Sequence, residues 1–165
     1  MNLTLVPATI DDAAAIASLR TAVADHLTRD YGCGHWSSAV SEKSVLNALR
    51  TSRVFVARSG TTLVGTLGLA TKKPWAIDKS YFTNCRKPLY LRDMATAPDV
   101  QRQGIGRRCL EEAKRIVKAW AGDAIRLDAY DAAAGAGGFY QKCGFREMGR
   151  VSYRNTPLIY FEFLL

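Results

Sequence analysis

The chain is poor in the residues that build metal centres and disulfide frames. It has two histidines, His26 and His35, and four cysteines, Cys33, Cys85, Cys109 and Cys143, with no Cys-x-x-Cys pair. No metal site is therefore expected, and isolated thiols fit a reducing compartment better than a disulfide frame. Long apolar runs are missing as well. Charged residues interrupt the hydrophobic stretches far short of the ~20 apolar residues a membrane span needs, so no membrane partner is expected. Between Met1 and Asp12 no basic segment precedes an apolar one. That pattern predicts no secretory leader and a cytoplasmic protein. No repeat, low-complexity tract or linker divides the sequence, and one domain over residues 1–165 is expected.

What is present has a bias. The 23 basic residues outnumber the 15 acidic ones, a net charge of +8. Such a balance suits an anionic partner, and nucleic acid, a phosphate-rich cofactor and a merely solvated basic surface all satisfy it. The placement of the arginines has to decide.

Hydrophobic periodicity divides the chain into elements. Residues 2–6 alternate Leu3 and Leu5 with polar neighbours, as a short strand does. Thr9 with Asp12 has the spacing of a capping box, and Ile16, Leu19, Val23 and Leu27 follow at helical intervals. A loop is expected at 30–38 and a shorter helix at 40–49. Two strand-like runs, 53–58 and 62–71, flank Ser59-Gly60-Thr61, a hairpin signal. The stretch 72–88 is irregular and aromatic, with Trp75, Tyr81 and Phe82. A strand at 89–97 ends at Pro98. The clearest helix, 104–121, sets Ile105, Cys109, Ala113, Ile116, Val117 and Trp120 on one face and charge on the other. A strand (125–130), a helix (133–142) and a closing hairpin (145–153 with 158–164) complete the order βααβββαβαββ. That order predicts an α/β domain with one mixed sheet and helices on its faces.

The most informative stretch is Pro98-Asp-Val-Gln-Arg-Gln-Gly-Ile-Gly-Arg-Arg108. A strand ends, a loop carries Gln101-x-x-Gly104-x-Gly106, and an amphipathic helix begins. The first amides of a helix lack intrahelical partners, and the helix dipole adds positive potential there, so a phosphate binds readily. Glycine lets the anion approach the backbone, and Arg102, Arg107 and Arg108 add full charges. Gly-x-Gly alone also fits a plain strand-to-helix turn. Neither the nucleoside-triphosphate loop nor the dinucleotide fingerprint has this spacing.

The run Leu91-Arg-Asp-Met-Ala-Thr-Ala-Pro-Asp-Val-Gln-Arg-Gln-Gly-Ile-Gly106 resembles the acetyl-CoA signature of GCN5-related N-acetyltransferases (GNATs), Gln/Arg-x-x-Gly-x-Gly/Ala after the fourth strand. A second stretch, Ala136-Gly-Gly-Phe-Tyr-Gln-Lys-Cys-Gly-Phe145, resembles the family's Ala-x-x-Phe-Tyr-x-x-x-Gly-Phe. Two motifs in the right order are far more specific than either alone, and the resemblance runs from Leu3 to Leu164. It implies a GNAT-like acyl-CoA N-acyltransferase fold: a central mixed, largely antiparallel sheet of about seven strands flanked by four helices. It also implies a transferase that moves an acetyl group from acetyl-CoA to a small-molecule amine, releasing CoA.

Residue by residue, the resemblance implies that backbone groups of Met94, Ala95 and Thr96 pair with the pantetheine arm where the fourth and fifth strands splay. Gln101, Arg102, Gln103, Gly104, Ile105, Gly106 and Arg107 then hold the pyrophosphate. Tyr140 resembles the family's general acid, which also contacts the cofactor; phenol and thiol have ordinary pKa values of roughly 10 and 8.5. Relatives often carry an asparagine where Ala133 stands, and a glutamate where Arg92 stands. An arginine cannot accept a proton, so Asp93, Asp128, His35 and a water chain remain candidates for the base.

The family's acceptor pocket draws on the first two helices and the loop before the fourth strand. Here that implies His35, Trp36, Trp75, Tyr81 and Arg92, and the arginine suits an acceptor bearing a carboxylate or phosphate. Other readings are an acyl-CoA sensor without turnover and an acetyltransferase of protein lysines or amino termini. No nucleic-acid partner is expected, because the arginines gather at one phosphate turn rather than along a basic-aromatic face. Monomer and homodimer are both open.

Overall fold

The computed structural model describes residues 3–165; Asn2, where the first strand was expected to begin, lies outside them. The elements follow the expected order. They are β1 (Leu5–Pro7), α1 (Ala13–Tyr31), α2 (Glu42–Thr51), β2 (Arg53–Ser59), β3 (Thr62–Ala70), β4 (Pro88–Thr96), α3 (Ile105–Ala119), β5 (Ala124–Tyr130), α4 (Gly137–Lys142), β6 (Arg146–Tyr153) and β7 (Thr156–Leu164). The seven strands form one sheet in the order β1-β2-β3-β4-β5-β7-β6. The β1–β2, β2–β3, β5–β7 and β6–β7 ladders are antiparallel, and β4–β5 is parallel, with Tyr90 opposite Arg126. The fold is thus the expected mixed, mostly antiparallel α/β sheet with four helices. No helix among the described residues is long and apolar enough to cross a membrane.

The chain packs as two compact units, and β4 contributes to both. One unit holds the described residues through Ala70 with Arg92–Ala113; the other holds Thr71–Leu91 with Lys114–Leu165. In the first, the helix expected to start at Thr9 opens as a single 3-10 turn, Ile10–Asp12, that leads into α1 at Ala13. The Thr9 amide donates to Asp12 Oδ2 at 2.9 Å, closing the capping box, and Asp12 also pairs with Arg58 on β2. The buried stripe of α1 is built on small residues. Ala13, Ile16 and Ala17 pack with Val45 and Val56, while Val23 and Leu27, expected in that stripe, stay half-exposed. Helix α2 begins two residues later than expected. The Val40 amide is taken by Thr21 Oγ1 at 3.0 Å, which keeps the backbone extended until Ser41 caps the helix through the Ser44 amide.

In the second unit, a long segment between β3 and β4 covers one face of the strands. Its anchors are Ile77 and Phe82, which pack with Tyr90 and Tyr160. Tyr160 Oη accepts from the Asp78 amide at 3.1 Å and donates to the Ala76 carbonyl. Cross-strand neighbours Arg126 and Glu162 form a buried ion pair at 3.0 Å. Arg126 also donates to the Thr83 carbonyl, and Glu162 accepts from the Thr83 amide. Burying two charges is costly unless each finds its partners, and here the partners are the segment's own backbone.

The other face of the same strands packs Tyr140, Phe145 and Phe161, and Lys114 lies 4.0 Å from the Phe163 ring centroid while donating to the Cys143 carbonyl. Helix α4 is shorter than the expected 133–142. A Cβ on Gly135 would stand 1.9 Å from the Tyr130 carbonyl oxygen, and the Gly135 amide closes a turn onto Ala132, so residues 133–136 turn rather than coil.

The closing hairpin also differs from expectation at its tip. Strand β7 begins at Thr156 because Arg154 and Asn155 alone make the turn, with φ of 48° and 64°. Two consecutive left-handed residues form the turn whose twist matches antiparallel strands, and Asn-Gly suits it far better than Arg-Asn. Replacing Arg154 by Asn and Asn155 by Gly together should stabilise the protein by about 1 kcal/mol. Urea denaturation of the double variant checks this, and a lowered midpoint would contradict the assignment of strain to the turn.

Candidate functional site

The basic turn and its strand lie in the first unit. At the end of β4 the Gln101 side chain reaches back and donates through Nε2 to the Thr96 carbonyl at 3.1 Å. That bond fixes the loop to the strand it leaves. The chain then turns through two left-handed residues, Arg102 (φ 63°) and Gly104 (φ 82°), before the Arg108 amide reaches the Gly104 carbonyl and α3 is under way. Nothing lies within 4 Å of where a Gly104 Cβ would be, so the backbone there faces open space. Arg102, Gln103, Arg107 and Arg108 are exposed around it, while Ile105 is buried and roots the helix in the core. An exposed helix start with several arginines and unobstructed backbone is a place for a polyanion.

The strand itself carries a departure that the sequence does not reveal. Asp93 sits within β4 at φ 53°, a conformation that few non-glycine residues adopt. Its carboxylate accepts from Arg20 of α1 at 2.8 Å. Its neighbours Met94 and Thr96 are half-buried and Ala95 is buried. The preceding strand makes room: a Cβ on Gly65 would meet the Ala95 carbonyl oxygen at 3.5 Å, and one on Gly68 the Arg92 carbonyl oxygen at the same distance. Glycines at 65 and 68 thus let β3 lie close against the irregular half of β4.

Of the other residues expected at an acceptor pocket, His35 is exposed in the loop after α1. Trp36 folds its indole over Gly34, whose Cβ would stand 2.4 Å from the ring, and donates through Nε1 to the Gly32 carbonyl at 3.0 Å. Arg92 is half-buried on β4. These three belong to the first unit.

Tyr140 belongs to the second unit. It is buried on α4, with the rings of Phe139, Phe145 and Phe161 at centroid distances of 5.3, 5.7 and 6.0 Å. Burial pushes its phenol well above the ordinary value, and the charges of Asp128 and Cys143 add to the effect. The hydroxyl therefore keeps its proton through the neutral range. Of the expected acceptor residues, Trp75 and Tyr81 are also in this unit, and both line one cleft of about 660 Å³. Along β7 consecutive side chains point to opposite faces: Tyr160 meets Tyr81, and Phe161 meets Tyr140. The cleft and Tyr140 are therefore on opposite faces of that strand.

Among the described residues no group of histidine, cysteine and carboxylate side chains is arranged to hold a metal. Burial raises the Cys109 thiol to about 11, and burial with the charges of Asp123 and Glu162 raises Cys85.

Comparison with known proteins agrees with this architecture. The model of the acetyltransferase (GNAT) domain matches residues 50–147. No curated protein matches the sequence. Solved structures do match in fold. A GCN5-related N-acetyltransferase from Rhodopseudomonas palustris has 20% identity and a TM-score of 0.75, covering 100% of this chain and 97% of that one. The PaiA N-acetyltransferase of Thermoplasma acidophilum, in complex with coenzyme A, has 16% identity and a TM-score of 0.74, covering 99% and 100%. YncA of Salmonella typhimurium, a putative acetyltransferase with its cofactor acetyl-CoA, has 16% identity and a TM-score of 0.69, covering 99% and 94%.

The geometry at Asp93 can be tested apart from any activity. Asparagine tolerates the left-handed region and alanine does not. Asp93→Ala should cost about 1 kcal/mol more stability than Asp93→Asn, since both lose the Arg20 pair and only alanine adds backbone strain. Equal losses in chemical denaturation would contradict the strained position.

Proposed function

The chain belongs to the GNAT acetyltransferase family, whose domain model covers 50–147 of its 165 residues, and from that premise we propose that it transfers an acetyl group from acetyl-CoA to the amine of a small molecule. The observation that carries the reading is the turn from β4 into α3. Left-handed backbone at Arg102 and Gly104, open space over Gly104 and exposed arginines make a seat for a diphosphate. These residues fit acetyl-CoA, the ligand bound in the YncA structure of the same fold. In this reading Gln101, Arg102, Gln103, Gly104, Ile105, Gly106 and Arg107 take the pyrophosphate, and backbone groups of Met94, Ala95 and Thr96 take the pantetheine arm.

When bound, acetyl-CoA would supply an acetyl thioester open to direct attack by an amine nitrogen, giving an amide with CoA thiol as the leaving group. The protein's part is to hold the two reactants together and to manage protons. Tyr140 keeps its proton because its phenol is raised by burial. Since that places it further above a thiol than two free groups would be, its first role is a hydrogen bond to the departing sulfur, with the proton following late. Asp93 carries a carboxylate already held by Arg20. In this reading Asp93, held in place by Arg20, orients the amine through a hydrogen bond, and the amine proton leaves to water.

Tyr140→Phe should lower kcat on the order of 10²-fold while changing acetyl-CoA affinity much less. Thiol release in a screen of amine acceptors supplies the rate, and calorimetry supplies the affinity. Unchanged turnover in a folded variant would remove Tyr140 from the chemistry. An acceptor screen with no thiol release above background, in a protein that still binds CoA, would favour a sensor over an enzyme.

A further inference from the structure

The second unit contains a cleft lined by Trp75 and Tyr81, two of the residues expected at an acceptor pocket, yet it lies on the face of β7 opposite Tyr140. It lies between the segment before β4 and the tip of the β6–β7 hairpin, with Trp75, Tyr81, Tyr153 and Tyr160 among its walls. Its volume of about 660 Å³ falls within the range of small-molecule sites. Trp75 is 83% exposed and Tyr81 41% exposed. A tryptophan so exposed gives up most of the stabilisation its burial would bring.

The exposure does not come from a slack loop. Immediately after Trp75, the Ala76 carbonyl and the Asp78 amide are both held by Tyr160 Oη, and Ile77 between them is 1% exposed. Phe82 is buried beneath the Arg126 guanidinium, 5.0 Å from its ring centroid. Tyr81 rests on the backbone of Gly149, where a Cβ would stand 2.4 Å from its ring, and edge-on to Tyr160 at 5.4 Å. The fold thus anchors the backbone between the two aromatics and again after Tyr81, and leaves their outer surfaces in water. With the backbone so placed, this aromatic surface suits a flat ligand, and the Tyr81 ring, already held against Gly149 and Tyr160, loses little freedom on binding.

Charge selects among flat ligands. Lys73 and Lys79 line the cleft with one carboxylate, Asp78. Asp78 Oδ1 already accepts from the Ser80 amide at 2.9 Å and the Ser80 hydroxyl at 2.7 Å, and those bonds hold its pKa below the usual value. At the hairpin tip Arg154 lies 5.3 Å from the Tyr153 ring centroid. The positive charges exceed the one negative charge, and that one is occupied locally.

We propose that this cleft binds a planar aromatic carboxylate, its ring against Trp75 and Tyr81 and its carboxylate toward Lys73 and Lys79. The proposal does not depend on acetyl transfer, because Tyr140 lies on the opposite face of β7. A cleft selecting a cationic amine would have left Asp78 unoccupied and omitted the lysines.

The test uses the full-length protein labelled with nitrogen-15, whose three tryptophans each give one indole N–H resonance. Titration with 2-naphthoate should move one of them saturably, and Trp75→Phe should delete that resonance. The uncharged 2-naphthamide should bind about fivefold more weakly, and so should 2-naphthoate to the Lys73→Met, Lys79→Met double variant. A Trp75 resonance that stays in place would overturn the proposal. So would equal affinity for the acid and the amide, or a resonance that moves with protein concentration alone, which would assign the surface to a second copy of the chain. Loss of thiol release with naphthoate binding intact would count against the transferase reading only.

Discussion

The strand-to-helix turn after β4 is the constraint from which the rest of the first unit follows. The chain leaves β4 and enters α3 within a few residues, and it does so here by adopting left-handed φ at Arg102 and Gly104. Glycine makes one of those positions easy and leaves the space above it empty. The bond from Gln101 back to Thr96 then holds the turn to the strand, and Ile105 plants the helix in the core. The same turn leaves open space and exposed arginines at the helix start, an environment suited to an anion. Structure and proposed function share one local cause.

The second unit rests on a different device. Its sheet would present charge at Arg126 and Glu162 to a segment with no regular structure of its own. The two charges are satisfied by one another and by the Thr83 backbone, and Tyr160 holds Ala76 and Asp78 in the same manner. Polar groups that would be costly if left unpaired thereby become the fasteners of an irregular segment. Exposed aromatics beside buried anchors are a consequence of that arrangement.

The order of elements was legible because it depends on local signals. Alternation marked the strands, the Thr9–Asp12 spacing marked the start of the first helical segment, and the Gly104-x-Gly106 spacing marked the strand-to-helix turn. The misplaced boundaries have local causes that only three-dimensional structure reveals. The turn before α4 depends on the Tyr130 carbonyl reaching Gly135, and the start of α2 depends on Thr21 taking the Val40 amide. The long-range ion pairs were illegible for a plainer reason. Arg20 and Asp93 are 73 residues apart, and Arg126 and Glu162 are 36 apart. No periodicity records a partner at that separation. The left-handed backbone at Asp93 likewise has no signature, since aspartate in a strand pattern reads as an ordinary polar position.

Calorimetric titration of CoA at modest salt into the wild-type chain and into Gly104→Asp tests the anion seat most directly. Aspartate tolerates left-handed backbone and here enters open space, so the fold should survive while a negative charge occupies the seat. The expected result is saturable binding to the wild type and at least about tenfold weaker binding to the variant, the loss of a charge-assisted contact. Equal affinity in two folded proteins would contradict the account.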